Sequence, residues 1–269
     1  MLQERDRPIG VFDSGIGGLT VVQEITRLLP NERIVYFGDT ARVPYGTKSK
    51  ESVIRFSKDN ANVLLKYDVK VIVIACNTST SWALNVLKRE YAMPVIGVIE
   101  PGSRCAVQTT RKKRVGVIAT QSTVASGKYV KTIQRFLKTA RVFQKSCPLF
   151  VPLVEEGWLD HKVTENVALE YLTDLKKNDI DVLILGCTHY PLLKPVLQKV
   201  MGKNVTLVDS ATETAREVKS LLERENLLRY SRHPAHHEFL VSDEPEHFRA
   251  MAKRFLGHDL PHVRRVDHV

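Results

Sequence analysis

Short runs that are apolar at every position, such as Val71-Ile72-Val73-Ile74 and Val182-Leu183-Ile184-Leu185, recur along this chain with amphipathic stretches between them. A run apolar at every position has both faces buried, as a strand of a parallel sheet covered by helices on each side must have. The pattern predicts an α/β fold of mainly parallel sheet flanked by helices. Strands are expected at Ile9–Phe12, Ile34–Phe37, Val69–Ile74, Val95–Val98, Val115–Ile118, Val182–Leu185 and Val205–Val208. Helices are expected at Leu19–Leu28, Lys50–Lys66, Ser81–Glu90, Lys128–Phe136, Val163–Lys176, Pro191–Val200 and Thr212–Glu225. Pro30 stops the first of them, because proline cannot continue a helical ladder. The tail from Arg232, rich in His and charge, adds an expected strand at His237–Val241 and a helix at Pro245–Leu256.

The runs are internally related. Ile9-Gly10-Val11-Phe12-Asp13-Ser14 resembles Val115-Gly116-Val117-Ile118-Ala119-Thr120, and Val71-Ile72-Val73-Ile74-Ala75-Cys76-Asn77-Thr78 resembles Val182-Leu183-Ile184-Leu185-Gly186-Cys187-Thr188-His189. The spacing between partners is nearly the same in both pairs, and the second pair keeps a cysteine in register. Two similar lobes are expected: residues 1–98, completed by 209–269, and residues 99–208, with the active site between them.

A chain of 269 residues, 43% hydrophobic and 26% charged, has ample material for such a core. It holds no apolar run of the roughly 20 residues that would span a bilayer. Met1 to Pro8 is charged where a secretory signal would be apolar. Both features lead to the expectation of a cytoplasmic protein. Cys76, Cys105, Cys147 and Cys187 form no CxxC pair, so free thiols are expected. The net charge of +10 raises a nucleic-acid role. Its short clusters, such as Arg111 to Arg114, lack aromatic interleaving and zinc spacing, so no dedicated role of that kind is expected. A basic surface that attracts an anionic substrate accounts for the charge.

Asp13-Ser14-Gly15-Ile16-Gly17-Gly18 lies between a strand and a helix, where glycines let backbone approach a ligand and a helix N-terminus offers N–H groups to an anion. A dinucleotide fingerprint would need a further glycine at Thr20, and a P-loop ending at Lys48-Ser49 would need glycines at Arg42 and Thr47. A small carboxylate fits better than either. Cys76 and Cys187 each close an apolar run, and residues at the C-terminal ends of parallel strands line the ligand crevice. Each is expected near a helix N-terminus, which favours thiolate over thiol. Any single such cysteine also reads as a small hydrophobe, the reading that suits Cys105 and Cys147. Two related ones point to a matched acid–base pair. Alone, Asp13 reads equally as a helix cap, His189 as a packed histidine and Glu155 as a surface acid.

Taken together, Asp13 to Leu19, Asp39-Thr40-Ala41-Arg42-Val43-Pro44-Tyr45-Gly46, Ala75-Cys76-Asn77-Thr78 and Gly186-Cys187-Thr188-His189-Tyr190-Pro191-Leu192 resemble the glutamate racemase family, in the expected order from about Ile9 to about Leu228. The segment after Leu228 adds little to the resemblance. The resemblance implies two lobes clasping glutamate with neither pyridoxal phosphate nor metal, a homodimer, and D-glutamate supplied for peptidoglycan. It makes Cys76 and Cys187 the catalytic thiols, Asp13 and His189 their supporting acid–base residues, and Glu155 the acid of a P-x-x-E segment. Ser14, Tyr45, Gly46, Asn77, Thr78 and Thr188 match substrate-contact positions, with Asp13 and His189 beside them. Thr120 and Thr123 match a G-T-x-G-T loop whose glycines are replaced here by Ala119 and Ser122. The first strand's start at Ile9 leads to the expectation of an unextended, activator-independent type. The alternatives are a two-cysteine racemase acting on aspartate or a hydantoin, or a non-enzymatic protein binding anions or nucleic acid.

Overall fold

The computed structural model describes residues 3–231, 235–260 and 262–267. The start of the expected tail at Arg232 and the end of the first lobe at residue 269 lie outside the described residues. In the first half, β1 (Ile9–Asp13), α1 (Leu19–Leu28), β2 (Ile34–Gly38), α2 (Lys50–Leu65), β3 (Val71–Ile74), α3 (Asn77–Glu90), β4 (Val95–Gly97) and α4 (Ile99–Thr109) follow one another. The second half runs β5 (Arg114–Ala119), α5 (Gln121–Ala125), α6 (Lys128–Phe136), β6 (Arg141–Ser146), α7 (Phe150–Glu155), α8 (Lys162–Lys177), β7 (Val182–Gly186), α9 (Lys194–Met201) and β8 (Thr206–Asp209). Then come α10 (Ser210–Arg224), β9 (Glu238–Val241), α11 (Pro245–Leu256) and β10 (Arg264–Arg265).

The strands form two sheets, in the orders β10-β9-β2-β1-β3-β4 and β6-β5-β7-β8, and the registered pairs are parallel. The stretch β2-β1-β3-β4 has the same order as the whole second sheet. Even the register repeats: Ile9 faces Val71 in the first sheet, and their counterparts Val115 and Val182 face each other in the second. β1, β2, β3 and β7 are buried at every position, as their uninterrupted apolar runs require.

The sheets share one apolar core. It runs from Val11 and Val73 of the first sheet, through Val22 of α1 and Val218 of α10, to Leu183 and Leu185 of the second. Away from the site, the buried Lys70 ammonium meets Glu32 at 2.6 Å and donates to the carbonyls of Arg5 and Leu227 at 2.7 and 2.8 Å. A buried cation needs this full set of partners. No helix among the described residues is long and apolar enough to cross a membrane.

Candidate active site

Parallel sheets present their C-terminal strand ends and the following loops on one side. Here the ends of β1, β3, β5 and β7 converge on a cavity of about 280 Å³ that both Cys76 and Cys187 line, one from each sheet.

On the first wall, Cys76 caps α3: its sulfur accepts the Ser79 N–H at 3.4 Å and its thiol donates to Ser14 Oγ at 3.7 Å. Asp13, fully buried at the end of β1, takes the Gly15 N–H on Oδ2 at 3.1 Å, while Oδ1 has no hydrogen bond among the described residues. Burial raises the Asp13 pKa, opposed by the charge of His189 and by backbone N–H groups. Burial, then the Asp13 charge, pushes the Cys76 thiol up to about 11. The expectation that a helix N-terminus favours thiolate is therefore corrected here. The Ser79 N–H does lower the pKa, but burial beside a carboxylate outweighs it.

On the second wall, Cys187 follows β7, and a 3-10 turn at Tyr190–Leu193 precedes α9, so the expected helix over Pro191–Val200 opens as a tighter turn. His189 is buried, with Nδ1 4.0 Å from the Cys187 sulfur and Nε2 2.9 Å from Glu155 Oε1. Burial alone would depress its pKa. The hydrogen bonds to Cys187 and Glu155 outweigh that, and with the charges of the same two groups they raise His189 to about 10. A cation thus stands beside Cys187 and a carboxylate beside Cys76, so the two thiols have opposite electrostatic surroundings.

A triangle of hydroxyls crosses between the lobes. Thr78 Oγ1 lies 2.9 Å from Thr120 and 3.1 Å from Thr123, and those two are 2.9 Å apart. Thr120 caps α5, which holds the triangle in place without the family's glycines. Ser14, Tyr45, Gly46, Asn77, Thr78, Thr120, Thr188 and Glu155 line the cavity with His189; Asp13 and Thr123 do not, and are buried just behind it. Asn77 receives the Tyr129 hydroxyl on Oδ1 at 2.7 Å, leaving its buried amide nitrogen with no hydrogen bond among the described residues. Tyr45 faces the cavity, but its hydroxyl donates to Asp39 and accepts from Asn60 at 3.0 Å. Asp39 is fully buried and also binds Arg42 at 2.6 Å and Ser242 at 2.9 Å, anchoring the loop that carries Tyr45.

The glycines of the first loop do something other than expected. A Cβ on Gly17 would stand 2.2 Å from Thr188 Oγ1 and 2.5 Å from His189 Nδ1, so its missing side chain lets the second wall approach the first. The first N–H groups of α1 bond back to Ile16, Gly17 and Gly18 carbonyls, and are not held free for an anion. Of these glycines only Gly15 lines the cavity. Gly46 matters similarly, since a Cβ there would lie 2.7 Å from Thr120 Cβ. Gly46→Ala is expected to displace Thr120 and raise KM by about tenfold, a loss of about 1.4 kcal/mol in binding, with kcat changing less. Steady-state kinetics on the folded variant checks this.

Not foreseen from the sequence is an apolar wall of Val43, Pro44, Pro148, Val151 and Pro152. The spacing of two prolines around Leu149-Phe150-Val151 was its only local signal.

The family model for Asp/Glu/Hydantoin racemases matches residues 9–218. A glutamate racemase of Geobacter metallireducens is 50% identical over 260 residues, covering 97% of this chain and 96% of that protein. Among solved structures, a glutamate racemase isoform from Bacillus anthracis superposes with a TM-score of 0.95 at 39% identity, covering 98% of each chain. A Francisella tularensis glutamate racemase, solved in complex with D-glutamate, gives 0.92 at 40% identity, again covering 98% of each chain. With the same folded core, near-complete coverage and the two-walled thiol site, the chain belongs to the Asp/Glu/Hydantoin racemase family and groups with its glutamate racemases.

Proposed function

We propose that the protein interconverts L- and D-glutamate by moving the α-proton between two thiols, with no cofactor. The observation that carries this reading is the pair of cysteines at equivalent strand ends of two related sheets, both lining one small cavity. Inverting a carbon centre needs a base on one face and an acid on the other. A thiolate takes the α-proton from one face of the substrate and the opposite thiol gives a proton to the other.

Cys76 bears its proton near neutral pH and is suited to be the acid. To act as a base it must first lose that proton, and Asp13, whose own affinity for a proton is raised, is placed to take it. On the other wall His189, oriented by Glu155, gives its Nδ1 proton to the Cys187 thiolate when protonated and takes it back when neutral. Each turnover exchanges which thiol is protonated. The site is reset by the supporting pairs or by a substrate of the opposite hand.

Among the described lining residues there is no Lys or Arg. Apart from the protonated His189, substrate carboxylates are therefore met by neutral donors: the hydroxyls of Ser14, Thr78, Thr120 and Thr188, the amide of Asn77, and backbone N–H groups such as those of the Tyr45–Gly46 loop. Preorganised donors of this kind also stabilise charge that develops on the α-carboxylate as the proton leaves. Thr123 and Asp13 act from behind. The working unit is two lobes, 1–98 with 209–269 and 99–208, and we extend the reading to a cytoplasmic homodimer that supplies D-glutamate for peptidoglycan.

The test incubates the protein with L-glutamate in deuterated water, with L-aspartate in parallel, and follows optical rotation and α-deuterium by NMR. Decay of rotation to zero with deuterium entering glutamate is expected. Unchanged rotation and no deuterium with folded, reduced protein would sink the reading; turnover of aspartate alone would redirect it within the family.

A further inference from the structure

Helix α11 belongs to the segment after Leu228, and it touches both walls of the site. β9, just before it, pairs with β2 and extends the first sheet. Phe248, near the start of α11, packs against Tyr36 with ring centroids 6.0 Å apart, and the Tyr36 hydroxyl donates to the Gly15 carbonyl at 2.5 Å in the loop beside Asp13. Seven residues on, Phe255 packs on the His189 imidazole with centroids 5.4 Å apart and ring planes at 87°. Positions seven apart fall on one face of a helix, about 10.5 Å apart along its axis. Arg254 donates to the carbonyls of Glu155 and, at 3.4 Å, Val154, the last residues of α7, where a cation offsets the carbonyl end of the helix. Gly157 has φ +80°, and a Cβ there would stand 2.8 Å from the Arg254 guanidinium, so this docking depends on glycine. The far end of α11 is tied down as Gln23 of α1 donates to the Leu256 carbonyl at 3.1 Å.

We propose that α11 is a strut anchored in the first lobe that holds the His189–Glu155 pair in register with the Asp13–Cys76 wall, with Phe255 and Arg254 as positioning residues for proton transfer at Cys187. An edge-to-face ring contact fixes the rotation of the imidazole, and the guanidinium fixes the backbone that carries the Glu155 carboxylate. Neither residue lines the cavity. Their effect is therefore on the geometry of the proton donor and not on substrate binding. The proposal rests on the racemase reading for its kinetic consequence, while its structural consequence is measurable without substrate.

The test compares Phe255→Ala, Phe255→Leu, Arg254→Ala and Arg254→Lys with wild type and with the exposed control Lys253→Ala. Three quantities are followed: kcat and KM for both glutamate enantiomers, the melting temperature, and the NMR titration of His189 without substrate. The titratable and charged groups that face this imidazole are Cys187, Glu155 and Asp13, with Arg254 behind Glu155. For Phe255→Ala and Arg254→Ala, kcat is expected to fall about 10–100-fold, the scale of a misplacement of the order of an ångström, with KM within about twofold. The His189 titration should move down from about 10 as its bonds to Glu155 and Cys187 loosen. Arg254→Lys and Phe255→Leu should recover part of both, and Lys253→Ala should match wild type. Folded variants with wild-type kcat and titration overturn the proposal, and so does a loss of activity that only tracks the folded fraction while the titration stays in place. A wild-type protein that fails to racemise glutamate defeats the functional reading alone, because the titration still judges the strut.

Discussion

Replacing either Cys76 or Cys187 by alanine is expected to reduce two-way racemisation at least about 10³-fold, a barrier increase of about 4 kcal/mol. Inversion needs both faces served, so the loss should be nearly as large in either single variant as in the double variant, which is how residues acting as a unit behave. What distinguishes the singles is exchange without inversion. Cys76→Ala keeps the Cys187 base and should incorporate deuterium from solvent into one enantiomer of glutamate only; Cys187→Ala should do so with the other. The Cys76 sulfur also caps α3 through the Ser79 N–H, so its loss costs about 1 kcal/mol of stability on top of the chemistry. Cys76→Ser separates the two effects: a hydroxyl can cap the helix but is a far weaker acid than a thiol. The serine variant should melt close to wild type and still fail to racemise. Polarimetry for inversion and NMR for α-deuterium make the measurement, and two-way racemisation retained in either single variant breaks the paired-base mechanism.

How much of this was readable in the chain depends on the range of the interaction. Strands buried on both faces declare themselves, and β1, β2, β3 and β7 appear within a few residues of where continuous apolar runs put them. β6 is the contrary case. Arg141-Val142-Phe143-Gln144-Lys145-Ser146 is an edge strand, partly exposed along its length, so its composition is that of a surface. α4 is hidden by Pro101-Gly102, yet proline is tolerated in a first helical turn, where its missing N–H costs nothing. α3 begins at Asn77 and not at the expected Ser81, because its cap is a cysteine, which the usual Ser, Thr, Asp and Asn signals do not include.

The site divides in the same way. Its strand-end residues were visible because each sits beside an apolar run, and the repeat paired the two thiols. The partners that hold them come from far along the chain. His189 and Phe255 meet only when the two lobes come together, and Asp39 and Ser242 only once β9 has paired with β2; no local pattern joins either pair. The segment after Leu228, which adds little to the motif match, supplies contacts to both walls. At Ser122, one of the two loop positions where the family pattern has glycine, the side chain finds partners in the first lobe. Ser122 accepts the Trp82 indole N–H at 3.0 Å and donates to the Lys48 carbonyl at 3.2 Å, so the exchange added a link between the lobes.

His189→Asn is expected to lower kcat/KM by about 10²-fold or more, the usual worth of a positioned acid–base group, and to change the alkaline side of the pH profile. The equilibrium constant of a racemisation is one, so kcat/KM must fall equally in both directions. The asymmetry should appear instead in the deuterium isotope effects on kcat, which should rise for the enantiomer whose slow step is proton transfer at Cys187. In wild type two groups of the site with raised pKa values lose protons at high pH, His189 near 10 and Cys76 near 11. The variant keeps only the second. The substrate ammonium titrates alike in both proteins and cancels in the ratio of their kcat/KM values, so that ratio should decline as pH rises through 10. Stability carries the same sign. The His189 pKa is raised by folding, so the native state binds that proton more tightly; the resulting stabilisation is complete below about 6.5 and is lost as pH rises through 10. Cys76 behaves likewise over a higher window, from its ordinary range near 9 up to 11. Between neutrality and pH 9 the wild-type melting temperature should therefore fall with pH more steeply than that of His189→Asn. Equal slopes, together with a flat kcat/KM ratio across pH 10, would show that the imidazolium has no part in holding or moving the proton at Cys187.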